Sequence, residues 1–321
     1  MTALRAVALV CTAGLALSTT ACMVTSSGAG PMHVLDARVD KDHPPTYLGL
    51  PLKSGQIFLT EAPGAYSFVF VLIPAKFFPF THSSIISVEN GEAYVYDISG
   101  EYQLGFHDRV MDNVDGGMRK TPFVQYAQNN LYGEVFDPPE GVRGDLVVAF
   151  AKQQFESGVK FDAFFRYDEH EKLFCTELTQ LALEAGGAKP RVLEPVRDNP
   201  SLHVGMSWLG VPPDRALPAG VFGDTSRYRG AVGQFASRTA AYAYFEAKRE
   251  LHRRFKPDQR LGYLFILKSS GDIEARPQVD DFAWRAAKAF DGDADPPPPG
   301  DPRIAQRVRT IADEMFGPVP D

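Results

Sequence analysis

Cysteine is scarce in this chain of 321 residues, which has three: Cys11, Cys22 and Cys175. Cys11 and Cys22 lie in a segment with the pattern of an export signal, so Cys175 is expected to be the single free thiol of the processed protein. Basic stripes interleaved with aromatic residues are lacking too, and the formal net charge is −7. This composition argues against nucleic-acid binding.

Long apolar runs are also lacking. Residues 6–17 are apolar, but this run is too short to span a bilayer as a permanent helix. The apolar stretch 66–80 is interrupted by Pro74, Lys76 and Pro79, which argue against a membrane helix. We interpret 66–80 as a loop and strand that lie under the core.

The N-terminus has the pattern of a bacterial lipoprotein signal. Arg5 precedes the apolar run, and the sequence Thr-Thr-Ala-Cys that ends at Cys22 resembles a lipobox, with threonine where leucine is usual. We expect a signal peptide over 1–21, a lipid anchor at Cys22 and a flexible tether over 22–45. The expected location is the cell envelope, by default the periplasmic face of an outer membrane. The alternative is ordinary cleavage near Ala21, which would leave Cys22 as a free thiol.

A β-hairpin is predicted in the first third of the chain. Its strands run over 82–89 and 92–98, and the Asn90-Gly91 pair between them is a strong signal for a tight turn. Facing residues in such a hairpin lie about 4.5–5.5 Å apart at Cβ. The turn therefore predicts that His82 and Asp97 lie almost opposite each other.

The rest of the pattern is mainly helical. Apolar spacing predicts helices over 144–157 and 173–185, and the second is ended by Gly186-Gly187. No regular pattern is evident from Pro190 to about residue 233. The further predicted elements are a short strand within 51–60, a basic helix at 239–255, a strand at 261–268 and helices at 281–290 and 303–316.

Cys175 is the candidate nucleophile because it lies at the start of the predicted helix 173–185. There the free backbone N–H groups and the positive end of the helix dipole stabilise a thiolate. A cysteine nucleophile needs a base, and the base needs a third group to hold its ring. His82 and Asp97 are the candidates for these roles. Tertiary packing must bring Cys175 to the hairpin, which sequence spacing does not show.

Three segments then resemble a known family. They are Gly-Gln-Ile-Phe-Leu-Thr at 55–60, Thr-His-Ser-Ser-Ile at 81–85, and Phe-Asp at 161–162 with Lys-Leu-Phe-Cys-Thr-Glu-Leu at 172–178. Together they resemble the circularly permuted papain-fold amidases, the YiiX/YaeF-like branch of the NlpC-type cysteine hydrolases. The resemblance covers roughly residues 45–210. In that branch the histidine precedes the cysteine, as it does here.

The resemblance implies cleavage of an amide or ester by the Cys175 thiolate. His82 would act as base and acid, Asp97 would fix its tautomer, and the Cys175 N–H would donate to the oxyanion. No metal or cofactor is implied. Gln56 replaces the family's usual aspartate, which we interpret as a structural position. Asp97 stands where the branch often has a longer glutamate, so another residue remains an alternative for orienting His82.

The expected fold is α+β, a permuted papain-like fold in which a small antiparallel sheet packs against the Cys175 helix. We expect the hydrolase domain over 46–220 and an α-rich C-terminal extension of unassigned role over 221–321. The expected substrate is a cell-envelope amide, in a peptide or peptidoglycan, with a lipid-linked acyl group as another candidate. A thioesterase or lipid acyltransferase would use the same three residues. A non-catalytic envelope binding module is the alternative from another class, and the oligomeric state stays open.

Other polar residues near these motifs receive structural interpretations. We interpret Glu177 as a partner of the helix N-terminus, and Asp162 and Tyr167 as turn and packing residues. The basic stretch 248–254 is expected to be a solvated helix face, with contact to anionic lipid headgroups as the alternative.

Overall fold

The computed structural model describes residues 31–38, 49–100, 116–208, 210–268 and 273–319. Within them the protein is a mixed α+β structure with a large, mostly antiparallel sheet and eight α-helices. The predicted signal peptide and the lipidation site lie outside the described residues. Among the described residues, no helix is both long and apolar enough to cross a bilayer.

The main sheet has nine strands, and four more strands form two separate two-stranded sheets. In chain order the strands are β1 (His33–Ala37), β2 (Ile57–Glu61), β3 (His82–Glu89), β4 (Glu92–Gly100), β5 (Gly116–Pro122), β6 (Tyr132–Phe136), β7 (Lys160–Phe161), β8 (Lys172–Leu173), β9 (Glu194–Pro195), β10 (Arg215–Ala216), β11 (Tyr228–Gly233), β12 (Phe265–Leu267) and β13 (Ile273–Ala275). The order across the main sheet is β1-β11-β6-β2-β3-β4-β5-β7-β8, and only β7 and β8 run parallel. The sheet is therefore larger than the small sheet that we predicted.

The helices divide between the two faces of the sheet and the C-terminal part of the chain. They are α1 (Ala65–Leu72), α2 (Phe123–Gln128), α3 (Gly144–Glu156), α4 (Cys175–Ala185), α5 (Pro200–Trp208), α6 (Arg238–Arg254), α7 (Pro277–Lys288) and α8 (Pro302–Phe316). Helices α3 and α4 pack on β3 and β4, and α6, α7 and α8 pack on one another.

Side chains of the central strands alternate between two apolar clusters, as the two-residue period of a strand requires. Ile57 and Ile85 belong to the larger cluster, which also contains Leu178 of α4. Phe58 belongs to the smaller cluster, together with Phe123 of α2. Both faces of the sheet are thus covered, and β2 is buried along its whole length.

The predicted hairpin is present as β3 and β4, but its register differs from our prediction. Glu89 lies opposite Glu92, and the ladder ends with Ile85 opposite Tyr96. Continuing this register places Asp97 level with Ser84, so it is diagonal to His82. The reason is that the turn centres at 90.5, between Asn90 and Gly91, whereas a directly opposite pair of His82 and Asp97 would centre one residue earlier, at 89.5.

The stretch 66–80 differs from the predicted loop and strand. Helix α1 occupies Ala65–Leu72, directly after Gly64, whose φ is +98°. Its buried side chains include Phe68 and Leu72. The segment lacks the alternation of polar and apolar residues that a half-buried strand shows. Its mainly apolar side chains are buried as a helix instead.

The C-terminal part of the chain contributes to the main sheet. Strand β11 lies between β1 and β6 and pairs antiparallel with both. Strand β1 itself falls within 22–45, the stretch that we expected to be a tether. The division at residue 220 stays a prediction, but residues on both sides of it share one sheet and one apolar cluster.

The basic stretch 248–254 is not a solvated face. Lys248 is fully buried and forms an ion pair with Glu61, also fully buried. His252 and Arg254 are buried as well, and Arg254 pairs with Glu250 at 2.6 Å. Long basic side chains are buried in this way when carboxylates lie on the facing elements. These contacts leave little of the stretch to meet a lipid surface.

Candidate active site

Cys175 is the first residue of α4, as the sequence predicts. Strand β8 ends at Leu173, and Phe174 is extended, with φ −113° and ψ 168°, before the helix begins. The Cys175 residue is 8% exposed. The first N–H groups of a helix have no partner within it. The Cys175 thiol therefore lies beside free backbone donors and the positive end of a helix dipole.

His82 and Asp97 meet across the hairpin. His82 Nε2 forms a hydrogen bond with Asp97 Oδ1. The His82 side chain is 20% exposed and that of Asp97 is 7% exposed, so solvent reaches the ring but hardly the carboxylate. Ser99 Oγ donates to the second carboxylate oxygen at 3.3 Å. A diagonal pair of side chains on neighbouring strands has this reach.

Cys175 lies near enough to His82 to influence the pKa of its ring. Burial lowers the pKa of His82, but the charges of Cys175 and Asp97 and hydrogen bonds to both outweigh it. The resulting pKa of His82 lies well above its ordinary value of 6.5. Because Asp97 occupies Nε2, Nδ1 is the ring nitrogen left for the thiol. The structure thus brings together the three residues that the sequence singles out.

Two buried hydroxyl groups connect the strand of His82 to the helix of Cys175. Ser83 Oγ and Thr179 Oγ1 lie 2.8 Å apart. Each also lies within hydrogen-bond distance of the Cys175 carbonyl oxygen, at 3.2 Å and 3.1 Å respectively. Sequence reasoning missed this hydroxyl clamp (Ser83 and Thr179). The clamp fixes where α4 begins relative to β3.

Glu177 lies in the first turn of α4 and is fully buried. Its Oε2 accepts the backbone N–H of Phe174 at 3.3 Å, and its Oε1 lies 2.7 Å from His170 Nδ1. Burial raises the pKa of Glu177 to about 7, although the hydrogen bonds from His170 and Phe174 oppose the rise. Its contacts are with the N-terminal turn, as our structural interpretation expects.

Tyr126 is a second residue that sequence reasoning missed. It belongs to α2, which no periodic pattern indicates, and it is buried. Burial, followed by the charge of Asp97, raises the pKa of Tyr126 well above its ordinary value, and its hydroxyl lies within reach of Ser84. The Tyr126 hydroxyl is therefore a neutral hydrogen-bond donor at the edge of the site.

Two motif positions outside the triad have structural contacts. Gln56 is buried, accepts the Lys53 N–H at 2.7 Å and donates to Asp137 at 2.9 Å. Asp162 accepts the backbone N–H groups of Phe164 and Arg166, at 2.9 and 2.6 Å. The first ties two loops together, and the second shapes the turn before β8.

No group of three or more His, Cys, Asp or Glu side chains in the described part of the chain is arranged to hold a metal ion.

Comparisons with known proteins give a partial likeness to a solved structure. No family model matches the sequence, and no curated protein matches it. Among solved structures, the metalloprotein YiiX from Escherichia coli O157:H7 superposes with a TM-score of 0.42 and 15% identity. The match covers 56% of this chain and 95% of that one. A superposition at this level carries no argument about the fold or the chemistry of this chain.

Proposed function

We propose that this protein is a cysteine hydrolase that cleaves an amide bond. Cys175 is the nucleophile, His82 is the base and Asp97 orients the base. The observation that supports this most is the single His82 ring, which interacts with the Cys175 thiol on one side and with the Asp97 carboxylate on the other. A histidine placed between a cysteine and a carboxylate forms the catalytic unit of many acyl-transfer enzymes.

The reaction proceeds through an acyl-enzyme. His82 Nδ1 takes the thiol proton, and the Cys175 thiolate attacks the substrate carbonyl. The Cys175 N–H, which has no partner within α4, donates to the oxyanion. His82 then protonates the leaving amine, which departs and leaves a thioester on Cys175. Finally, His82 removes a proton from water, and the hydroxide releases the acid and regenerates the thiol.

Asp97 acts through His82. By accepting from Nε2–H, it holds the tautomer that leaves Nδ1 free for the thiol, and it stabilises the imidazolium that forms. The charge of Cys175, and after it that of Asp97, raises the pKa of His82, because a nearby negative charge favours the charged ring.

The test measures how fast Cys175 is alkylated as a function of pH. The full chain carries Cys11→Ser and Cys22→Ser, so that Cys175 is its one thiol, and His82→Ala is compared in this single-thiol protein. An ordinary thiol ionises near pH 8.5. We expect iodoacetamide to label Cys175 rapidly at pH 6–7 and His82→Ala to remove this fast labelling.

A slow reaction with an unshifted pH profile, equal in both proteins, would refute the proposal. It would favour the non-catalytic envelope binding module. Activity is then tested on amide substrates, with Cys175→Ser as the inactive control.

The same triad supports esters and thioesters as second candidates, and one observation favours them. Phe165 has φ +53° and its ring contacts those of Phe70, Phe161 and Phe174 at centroid distances of 5.2–6.0 Å. Phe70 and Phe165 are partly exposed, and Phe174 immediately precedes Cys175, so this aromatic group suits an apolar acyl group. An ester series of increasing chain length, compared with matched amides, separates the candidates by kcat/KM.

The finer parts of the sequence interpretation belong to the same proposal. We propose a permuted papain-like arrangement, supported by the order His82, Asp97, Cys175 along the chain and by the Cys175 helix packed on the hairpin. We also propose a lipid anchor at Cys22, supported by the lipobox-like sequence. Metabolic labelling with an alkyne fatty acid, lost in Cys22→Ser, tests the anchor.

A further inference from the structure

Three cations lie on neighbouring strands of the sheet beside the triad. Arg119 of β5 lies opposite Asp97 of β4. Two residues earlier in β5, Gly117 lies opposite Lys160 of β7, and Lys160 lies beside Lys172 of β8. Residues opposite each other, and residues two apart, share one face of a sheet. The cation stripe (Arg119, Lys160 and Lys172) therefore shares the face of Asp97.

No described carboxylate forms an ion pair with the cation stripe. Asp97 lies opposite Arg119, but its oxygens are bonded to His82 and Ser99. The next residue of β5 provides a contrast. Lys120 points to the other face and pairs with Glu89 at 2.7 Å. Like charges on adjacent strands are destabilising. Among the described residues this row of cations has no carboxylate of its own, which makes it a candidate site for an anionic ligand.

A cavity of about 350 Å³ opens along this row. Arg119 and Lys160 line it, together with glycines of β5 and the loop before β7. Gly116 and Gly117 carry no side chain to fill the space, and a Cβ at either would meet backbone within 3 Å. The volume lies in the range of small-molecule sites.

The stripe lies beside both ends of the triad. Arg119 is the cross-strand neighbour of Asp97, about 5 Å away at Cα. Lys172 is three residues before Cys175, so their Cα atoms are within about 11 Å. A substrate whose carbonyl lies at Cys175 can therefore place a second group over the stripe.

We propose that the cation stripe binds an oxyanion, a carboxylate or a phosphate, carried by the substrate of the Cys175 site. This inference rests on the proposed function, because it names the chemical class of that substrate. Arg119 offers a planar pair of donors to an oxyanion, and the two lysines offer point charges. An acidic amide is thus preferred over a neutral one.

The test compares two alkylating reagents that differ in charge. In both iodoacetate and iodoacetamide, the Cys175 thiolate attacks the methylene carbon and displaces iodide into solvent. Only iodoacetate carries a carboxylate. Their rate ratio is measured in the single-thiol protein and in Arg119→Gln, Lys160→Gln and the double variant. Lys288→Gln, an exposed cation on α7 without a described ion pair, is the matched control.

A unit charge about 6 Å from a carboxylate in water changes its local concentration about three-fold. We expect the iodoacetate preference to fall about three-fold in each single variant and about ten-fold in the double variant. Lys288→Gln should leave it unchanged, and added salt should reduce it in the wild type. An identical ratio in all of these proteins would overturn the inference.

Failure of the proposed function gives a different result, namely slow labelling by both reagents that does not depend on His82. In that case the thermal midpoint is followed with added glutarate or inorganic phosphate. A rise in the wild type that is lost in the double variant supports the stripe as an anion site, and the better ligand of the two identifies the oxyanion. No rise with either anion overturns it.

Discussion

Replacing Lys248 by methionine should destabilise this protein strongly, although Lys248 lies on α6, far along the chain from the triad. Its Nζ pairs with Glu61 of β2, and neither side chain is exposed. Burial raises the pKa of Glu61 and lowers that of Lys248, against their mutual attraction. Removing one partner of a buried pair leaves the other uncompensated, which costs about 3–5 kcal/mol. That is a large part of the 5–15 kcal/mol typical of a folded domain.

A double-mutant cycle isolates the pair. Glu61→Gln alone leaves a buried cation, so it should cost a similar amount. The double variant has no buried charge at this pair. We expect it to lie within about 2 kcal/mol of the wild type, so that the coupling energy is at least about 4 kcal/mol. The free energies of unfolding come from urea titrations at pH 7.

The pH dependence provides a second check. Burial raises the folded-state pKa of Glu61 above its unfolded value, so the folded state retains a proton that the unfolded state loses. Stability from this source is complete below about pH 4.3 and is lost as the pH rises through the folded pKa. The difference in the free energy of unfolding between the wild type and Lys248→Met should therefore be smaller at pH 5 than at pH 8.

The matched control is Arg249→Met, one residue along the same helix. Arg249 pairs with Glu246 at 3.2 Å but is 57% exposed, so its loss should cost less than about 1 kcal/mol. The reasoning is refuted if Lys248→Met is no more costly than Arg249→Met, or if the cycle shows no coupling between Lys248 and Glu61.

Three further predictions concern the site. Ser83→Ala removes half of the hydroxyl clamp, so alkylation of Cys175 at pH 7 should slow about ten-fold, whereas Ser87→Ala, a buried serine on the same strand bonded to a different side chain, should not slow it. Glu177→Gln removes a carboxyl group with a pKa of about 7. In the wild type, the free energy of unfolding in urea should fall between pH 4.5 and 8 by on the order of 3 kcal/mol, and this fall should be absent in the variant. Asp97→Asn removes a charge that, after that of Cys175, raises the pKa of His82, so the pH profile of alkylation should move upward, with the rate at pH 7 falling roughly ten-fold per pKa unit lost.

Each of these predictions has a contrary outcome. Equal alkylation rates in Ser83→Ala and Ser87→Ala would show that the clamp does not position the thiol. A Glu177→Gln protein with the wild-type pH dependence of unfolding would assign that dependence to other groups. An unmoved alkylation profile in Asp97→Asn would remove Asp97 from the orienting role and leave that role to another residue.

Elements with strong local signals were predictable. The Asn90-Gly91 pair marks the hairpin between β3 and β4, and Gly186-Gly187 marks the end of α4. The pairing of His82 with Asp97 was wrong because a one-residue shift in the centre of the turn moves every cross-strand pair. His82 and Asp97 still meet, since their side chains are long enough to connect diagonal neighbours.

Elements that depend on distant partners were not predictable. Strand β11 contains Gly230 and Gly233 and has no alternation, so only its place between β1 and β6 makes it a strand. Lys248 looked exposed because its partner Glu61 is 187 residues away in the sequence. The hydroxyl clamp is similar, since Ser83 and Thr179 are ordinary polar residues until α4 docks on β3.

The place of β11 in the sheet also constrains how the protein reaches its fold. His33 pairs with Gly233, 200 residues later in the chain. Until that residue has been synthesised, β6 has an open edge and β1 has no partner. Long-range pairing of this kind slows folding and leaves unpaired strand edges available to other chains. Chains that end before β11 are therefore expected to aggregate, and the growing chain should need protection from self-association until β11 has been synthesised.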